Sequence, residues 1–331
     1  MELTYDITAV GHAIVDVLAP ADDAFLKTHD LHKGAMTLID THRGTSLYEA
    51  MADSEQESGG SAGNTIAGAA SFGAKCAYVG KVAHDTLGEV FARDLKKMGV
   101  TFNTPVLHDD PARTGRCLIN VTPDGQRTMA TYLGAAALIS PEDLDADIIR
   151  SSQITYLEGY LFDSPSGRET FAKAAQIARS AGRKTAITLS DTFVVDRWRT
   201  DLLAFIERHI DLVFANEGEL LSLFQTDDFF KALRFLRSKV DLAFVTRSEQ
   251  GSVAIKFEDT HTVAAAPVDK VVDTTGAGDQ YAAGVMYGLT QGLHIETCAK
   301  LGSLAAAEVI GHFGPRPRVS LNALAKEKGL I

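Results

Sequence analysis

Short apolar runs rich in β-branched and aromatic residues recur along this chain, and stretches with helical spacing of their apolar residues separate them. The runs are DITAVGHAIVDV at 6 to 17, KCAYVGKV at 75 to 82, ITYLEGYLF at 154 to 162, KTAITLS at 184 to 190, DLVFA at 211 to 215 and DLAFVT at 241 to 246. Unbroken apolar runs of this length suit strands buried on both faces. Buried strands alternating with helices predict an α/β fold, a doubly wound and mostly parallel sheet flanked by helices. With 331 residues, 45% of them hydrophobic, the chain can bury such a core.

One region breaks the alternation. From 114 to 134, TGRCLINVTPDGQRTMATYLG alternates with period two around a turn signal at Pro123, Asp124 and Gly125, which predicts an antiparallel hairpin. With GAMTLID at 34 to 40 it predicts a small β-sheet apart from the main one, and a lid is a natural use for such a sheet.

The strongest chemical signal is VVDTTGAGDQYAAGVMYGL, from Val271 to Leu289, a glycine-rich turn running into a helix of small and apolar residues. Gly276 and Gly278 carry no Cβ, so the N–H groups of Ala277, Gly278 and Asp279 can converge on an anion at the positive helix end. Asp279 shares that first turn, where the helix field favours its ionised form. A carboxylate beside a phosphate site suits transfer to an alcohol, the base taking the hydroxyl proton. A helix capped by an aspartate after a glycine turn explains the same four residues without chemistry.

The longer string decides between them. DTTGAGD resembles the second signature of the ribokinase-like family, the PfkB carbohydrate and nucleoside kinases, in which the last aspartate is the catalytic base and Gly276, Ala277 and Gly278 would form the anion hole. SGGSAGNTIAGAASFGAKCAYVGKVAHDTLGE, from Ser58 to Glu89, resembles the first signature. There Gly59 and Gly60 let a sugar approach the backbone, and Asn64 offers a donor and an acceptor to hydroxyls. The resemblance also implies that Asp16, in GHAIVDV, grips two sugar hydroxyls. NEGEL at 216 to 220 resembles the family's N-x-x-E motif, which implies Asn216 near ATP and Glu219 acting on Mg2+ through water; an N-cap asparagine with a glutamate three residues on is the structural alternative. VTRSEQGS at 245 to 252 resembles the strand end beside ATP, implying Thr246 and Gly251 along the nucleotide and Arg247 within reach of phosphate. KLGSLAAAEVIGHFGPRP resembles the helix closing the adenine pocket, with Ser303 where ribokinases often carry asparagine. Asp273 and Thr275 match positions that hold a monovalent cation, K+, in such kinases.

The resemblance spans the whole chain, which implies one kinase domain over 1–331 with a lid from about 13–42 and 107–133. Within the family, 125 to 140 and 154 to 163 resemble the adenosine kinases. That implies Arg127 and Leu133 from the lid, Met36 and Tyr160 around a purine, and transfer of a phosphoryl group from ATP to the adenosine 5′-hydroxyl, giving AMP and ADP. Thr275 is common in sugar kinases, which keeps ribose, fructose and other nucleosides open as substrates.

Other classes fare worse. A net charge of −11 argues against a nucleic-acid or anionic membrane partner, which needs clustered positive potential. Three scattered cysteines give neither a disulfide framework nor a thiolate metal cage, as expected of a cytoplasmic protein. The start of the chain lacks a basic leader, and no uncharged apolar run approaches membrane-spanning length. A dinucleotide enzyme would carry G-x-G-x-x-G after its first strand, where GHAIVD stands. A silent ligand-binding relative would lack Asp279 or the glycines. The lid sheet could pair with a second copy or serve a monomer.

Overall fold

The computed structural model describes residues 2–51, 53–124 and 126–331. Its main sheet has nine strands, in the spatial order Asp259–Val263, Ser252–Lys256, Leu242–Thr246, Leu212–Asn216, Lys184–Thr188, Ser152–Glu158, Tyr5–Val10, Cys76–Val79 and Thr101–Phe102. Seven of these run parallel. The first two form an antiparallel hairpin at one edge. Each of the six apolar runs contributes a strand to this sheet, as an α/β reading requires.

Helices cover both faces, and each face has its own core. Ile7, Ala9, Tyr78 and Tyr156 pack on one side against Ser61–Phe72, Ala277–Thr290 and Ile295–Ile310. Val10, Leu157, Ile187 and Val213 pack on the other against Pro165–Ser180 and Thr192–His209. Alternate residues of one strand thus enter opposite cores, which is why the runs are apolar throughout. Tyr5–Val10 has Cys76–Val79, the next strand of this sheet in sequence, on one side and Ser152–Glu158 on the other. That reversal of strand order is where open α/β sheets leave a crevice at their carboxyl ends.

A second sheet has five strands in the order Met36–Leu38, Arg127–Tyr132, Gly115–Val121, Ile14–Pro20 and Glu55–Gly59. The expected hairpin is there, with Arg116 opposite Tyr132 and Val121 opposite Arg127. Of its turn signal, Gly125 lies outside the described residues. The reading of 6 to 17 as one strand needs correction. The main-sheet strand ends at Val10, Gly11 to Ala13 bridge, and Ile14 begins a strand of the second sheet. Glu55–Gly59 joins that sheet although the expected lid ranges omit it, pairing Gly59 with Ile14 and Glu57 with Asp16. Among the described residues, no helix is long and apolar enough to cross a membrane.

Candidate active site

The carboxyl ends of the main strands and the inner face of the second sheet enclose a cavity of about 580 Å³. Its floor is the start of the Ala277–Thr290 helix. Gly276, the residue before it, has φ +77, and a Cβ there would stand 2.6 Å from the Pro315 carbonyl oxygen, so glycine is required. Of the three amides expected to face an anion, Ala277 N–H instead turns back onto the Thr274 carbonyl at 3.2 Å. Among the described residues, the N–H groups of Gly278 and Asp279 have no protein acceptor. Nothing lies within 4 Å of a Cβ built on Gly278, so the ground above these two donors is open. Two open amides at a helix N-terminus can hold an anion.

Asp279 lies in that first turn and lines the cavity. Ser61 Oγ donates to its Oδ1 at 2.6 Å. The helix field was expected to keep this carboxyl ionised, but burial wins and pushes its pKa up to about 7, against the lowering by the Ser61 hydrogen bond. A base poised near 7 has both the right protonation state and the driving force to take a proton.

The opposite wall carries Asp16. Its carboxyl is buried and also raised to about 7, by burial first, with Arg316 pulling it back down. Gly59 faces it across the strand pair, where a Cβ would come within 2.3 Å of the Asp16 carboxyl carbon. Gly60 has φ +79 and caps the Ser61–Phe72 helix. Asn64, one turn into that helix, acts to lower the Asp279 carboxyl pKa, and its Oδ1 accepts from Arg316 Nε at 3.2 Å. With its oxygen held by arginine, Asn64 has its amide NH2 left to offer the Asp279 carboxyl.

Glu158 organises this region, and sequence reading missed it. Its Oε1 accepts from His12 Nδ1 at 2.7 Å and from the His12 backbone N–H at 3.2 Å, while Oε2 accepts from Ala62 N–H at 2.9 Å. Only 1% exposed, it ties the end of the first strand to the Gly60 turn. Gln280, fully buried, likewise donates to the Asn64 and Pro315 carbonyls at 2.9 Å each. An acidic residue closing an apolar strand, in ITYLEG, was the available sign for Glu158.

The upper wall is apolar. Met36, Leu38, Ile119, Met129 and Leu133 reach the cavity from the second sheet and its flank, and Tyr160 faces Phe193 with ring centroids 6.0 Å apart. Asn216, Glu219 and Thr246 line the far end. Asn216 and Glu219 do form a reciprocal capping box: Asn216 Oδ1 accepts from Glu219 N–H at 2.8 Å, and the Glu219 oxygens accept from Asn216 Nδ2 and N–H at 2.7 and 2.9 Å. Burial raises the Glu219 carboxyl to about 7. Both of its oxygens are engaged, so this glutamate suits contact with Mg2+ through water and not as a direct ligand.

Five sequence expectations need correction. Arg247 does not reach toward phosphate; it pairs with Glu217 at 2.9 Å and stacks 4.0 Å over the Phe229 ring. Gly251 serves the edge hairpin, with φ +84 and the Val263 carbonyl 2.0 Å from where a Cβ would be. Ser303 lines a separate depression of about 760 Å³ beside the 264–270 loop, its Oγ accepting from Ala266 N–H at 2.8 Å. Arg127 does not line the cavity but pairs with Asp273 at 2.8 Å. Consequently Asp273 and Thr275 do not fit a monovalent cation: Asp273 Oδ1 accepts from Thr275 N–H and Oγ1 at 3.1 and 2.7 Å, and Oδ2 accepts from Gly314 N–H at 3.1 Å beside the guanidinium.

Residues 35–321 match the profile of the pfkB family carbohydrate kinases. A structure described as a probable sugar kinase from Rhizobium etli is 47% identical and superposes with a TM-score of 0.91, covering 99% of both chains. The adenosine kinase of Sinorhizobium meliloti is 48% identical with a TM-score of 0.90, covering 98% of this chain and 99% of that one. The adenosine kinase of Saccharomyces cerevisiae is 28% identical over 95% of this chain and 97% of its own length.

Proposed function

Because the chain belongs to the pfkB family of carbohydrate kinases, phosphotransferases acting on alcohol groups, we propose that it transfers the γ-phosphoryl group of ATP to the 5′-hydroxyl of adenosine, giving AMP and ADP. The observation that carries this reading is the division of one cavity into a polar floor at Asp16, Asn64 and Asp279 and an apolar wall at Met36, Leu133 and Tyr160. A nucleoside has that same division, a hydroxyl-bearing ribose joined to a flat base.

The Asp16 carboxylate accepts hydrogen bonds from two vicinal ribose hydroxyls, and Asn64 supplements it. This grip holds the primary hydroxyl toward Asp279. As the hydroxyl oxygen attacks the γ-phosphorus, its proton passes to the Asp279 carboxylate, while the bond from that phosphorus to the β-bridging oxygen breaks and ADP leaves. The Gly278 and Asp279 amides stabilise the charge on the transferring group. Asn216, Glu219 and Thr246 lie on the ATP side. Glu219 would act through water on the Mg2+ carried with ATP, which would supply neutralisation of phosphate charge. The lid sheet excludes water that would otherwise hydrolyse ATP.

A sugar kinase is the second reading, favoured by Thr275 and by the likeness to the Rhizobium etli protein. Assaying adenosine, inosine, guanosine, ribose and fructose as acceptors with ATP and Mg2+ separates the two: adenosine is expected to be preferred, and preference for a free hexose overturns the assignment. The three cysteines are buried and unpaired, which supports a cytoplasmic setting. Light scattering decides whether the second sheet pairs two copies or covers the site of a monomer.

A further inference from the structure

We propose that Arg127 takes the place of a monovalent cation behind the phosphate-binding turn, so that this enzyme works without K+. The proposal rests on the reading of Gly276 to Asp279 as the phosphate site. It begins with Asp273, whose side chain is 8% exposed and stands three residues before Gly276. An unopposed carboxylate there would be costly to bury and would repel an incoming polyphosphate. Something positive has to face it.

Three protein donors, Thr275 N–H, Thr275 Oγ1 and Gly314 N–H, fill most of its acceptor capacity. The remaining side is closed by Arg127 Nη2, 2.8 Å from Oδ2, in an ion pair whose guanidinium is 6% exposed. The contact is one of charge and not of hydrogen-bond alignment: among the described residues none of Nε, Nη1 and Nη2 has a hydrogen-bond partner. Against the other side of the guanidinium lies the Phe313 ring, 5.6 Å from Cζ. A buried arginine with a single carboxylate partner is an expensive arrangement to keep for stability alone.

Its consequence is specific. Asp273 fixes the Thr275 backbone and hydroxyl, Gly276 follows with its left-handed turn, and the free amides come next. A permanent positive charge on Asp273 therefore anchors the turn from behind and neutralises it, as a bound alkali ion would. A guanidinium stays charged across the working pH range and needs no ion from solution. Arg127 begins the strand Arg127–Tyr132 of the second sheet, so this charge arrives from the lid and not from the loop itself. It is a positioning residue, acting on phosphate through the turn.

The test compares KCl with tetramethylammonium chloride at equal ionic strength. Two readouts are taken on the full chain with Mg2+ present: the dissociation constant for ATP, and turnover of whichever acceptor the panel identifies. For the unmodified protein both are expected to change by less than about twofold between the salts. Arg127→Gln is expected to weaken ATP binding by about tenfold or more in tetramethylammonium, with KCl restoring most of the loss, while Arg127→Lys stays near the parent in both. Stimulation of the unmodified protein fivefold or more by K+ overturns the proposal. So does an Arg127→Gln variant that is unaffected, or one that is impaired and gains nothing from K+. If Arg127→Gln does not fold, the salt comparison on the unmodified protein and on Arg127→Lys still decides. ATP binding needs no acceptor, so failure of every acceptor counts against the kinase reading and leaves this test intact.

Discussion

Replacing Ser61 with alanine removes the one hydroxyl that, among the described residues, donates directly to the proposed base. The contact is short, 2.6 Å from Ser61 Oγ to Asp279 Oδ1, and charge-assisted whenever Asp279 is ionised. Hydrogen bonds to charged groups contribute about 1.5–3 kcal/mol. At 1.36 kcal/mol per pKa unit, losing it moves a carboxyl that titrates near 7 upward by about one to two units. The protonated form cannot accept the substrate proton, so the variant is expected to lose about five- to fiftyfold of kcat/KM at pH 7. It should regain most of that by pH 9. The assay is a pH profile of kcat/KM for both proteins on the same acceptor, which reports the free enzyme. If Ser61→Ala lowers the whole profile evenly with its inflection unmoved, the bond does not set the Asp279 titration and the reasoning fails.

Further outcomes follow from the same carboxyls. Asp279→Asn keeps the shape of the site but has no base, so ATP and acceptor binding should persist while kcat falls by about two orders of magnitude or more; near-normal kcat would remove Asp279 from the chemistry. Asp16, Glu219 and Asp279 each titrate near 7 in the fold against ordinary values of 3.8 to 4.5. The folded state therefore binds more protons than the unfolded chain between about pH 4 and 7, and stability without ligand falls as pH rises through that window. Thermal unfolding of the ligand-free protein at pH 5 and pH 8 checks the sign: a higher midpoint at pH 8 that Asp279→Asn leaves unchanged would contradict it.

The main sheet was legible because its strands are buried on both faces, which leaves unbroken apolar runs. Polar strands left no such trace. EQESG at 55 to 59 is poor in β-formers and is a strand only because Ile14–Pro20 offers it a register. The edge hairpin from Ser252 to Val263 was missed for a related reason, since its outer strand is mostly exposed and its pattern weak. In the site, Asp279 and its glycines could be read from spacing because they share one turn. Glu158, Ser61 and Arg316 could not: Glu158 lies 96 residues from Ala62, Ser61 lies 218 from Asp279, and Arg316 lies 252 from Asn64. Only the fold brings such pairs together. Arg127 and Arg247 show the converse, charged residues near the right segments whose partners turned out to be other protein carboxylates.

The Glu158 side chain fastens two of the places where the backbone passes from one sheet to the other, at His12 and at Ala62. A flap hung from a pinned corner can swing but cannot slide. A lid closing about that pin would move Asp16 and Gly59 little and Met36 to Leu38, at the sheet's far edge, the most. On the proposed function, the sugar end of a ligand would then meet a nearly finished surface, and the shelter over its other end would be completed last.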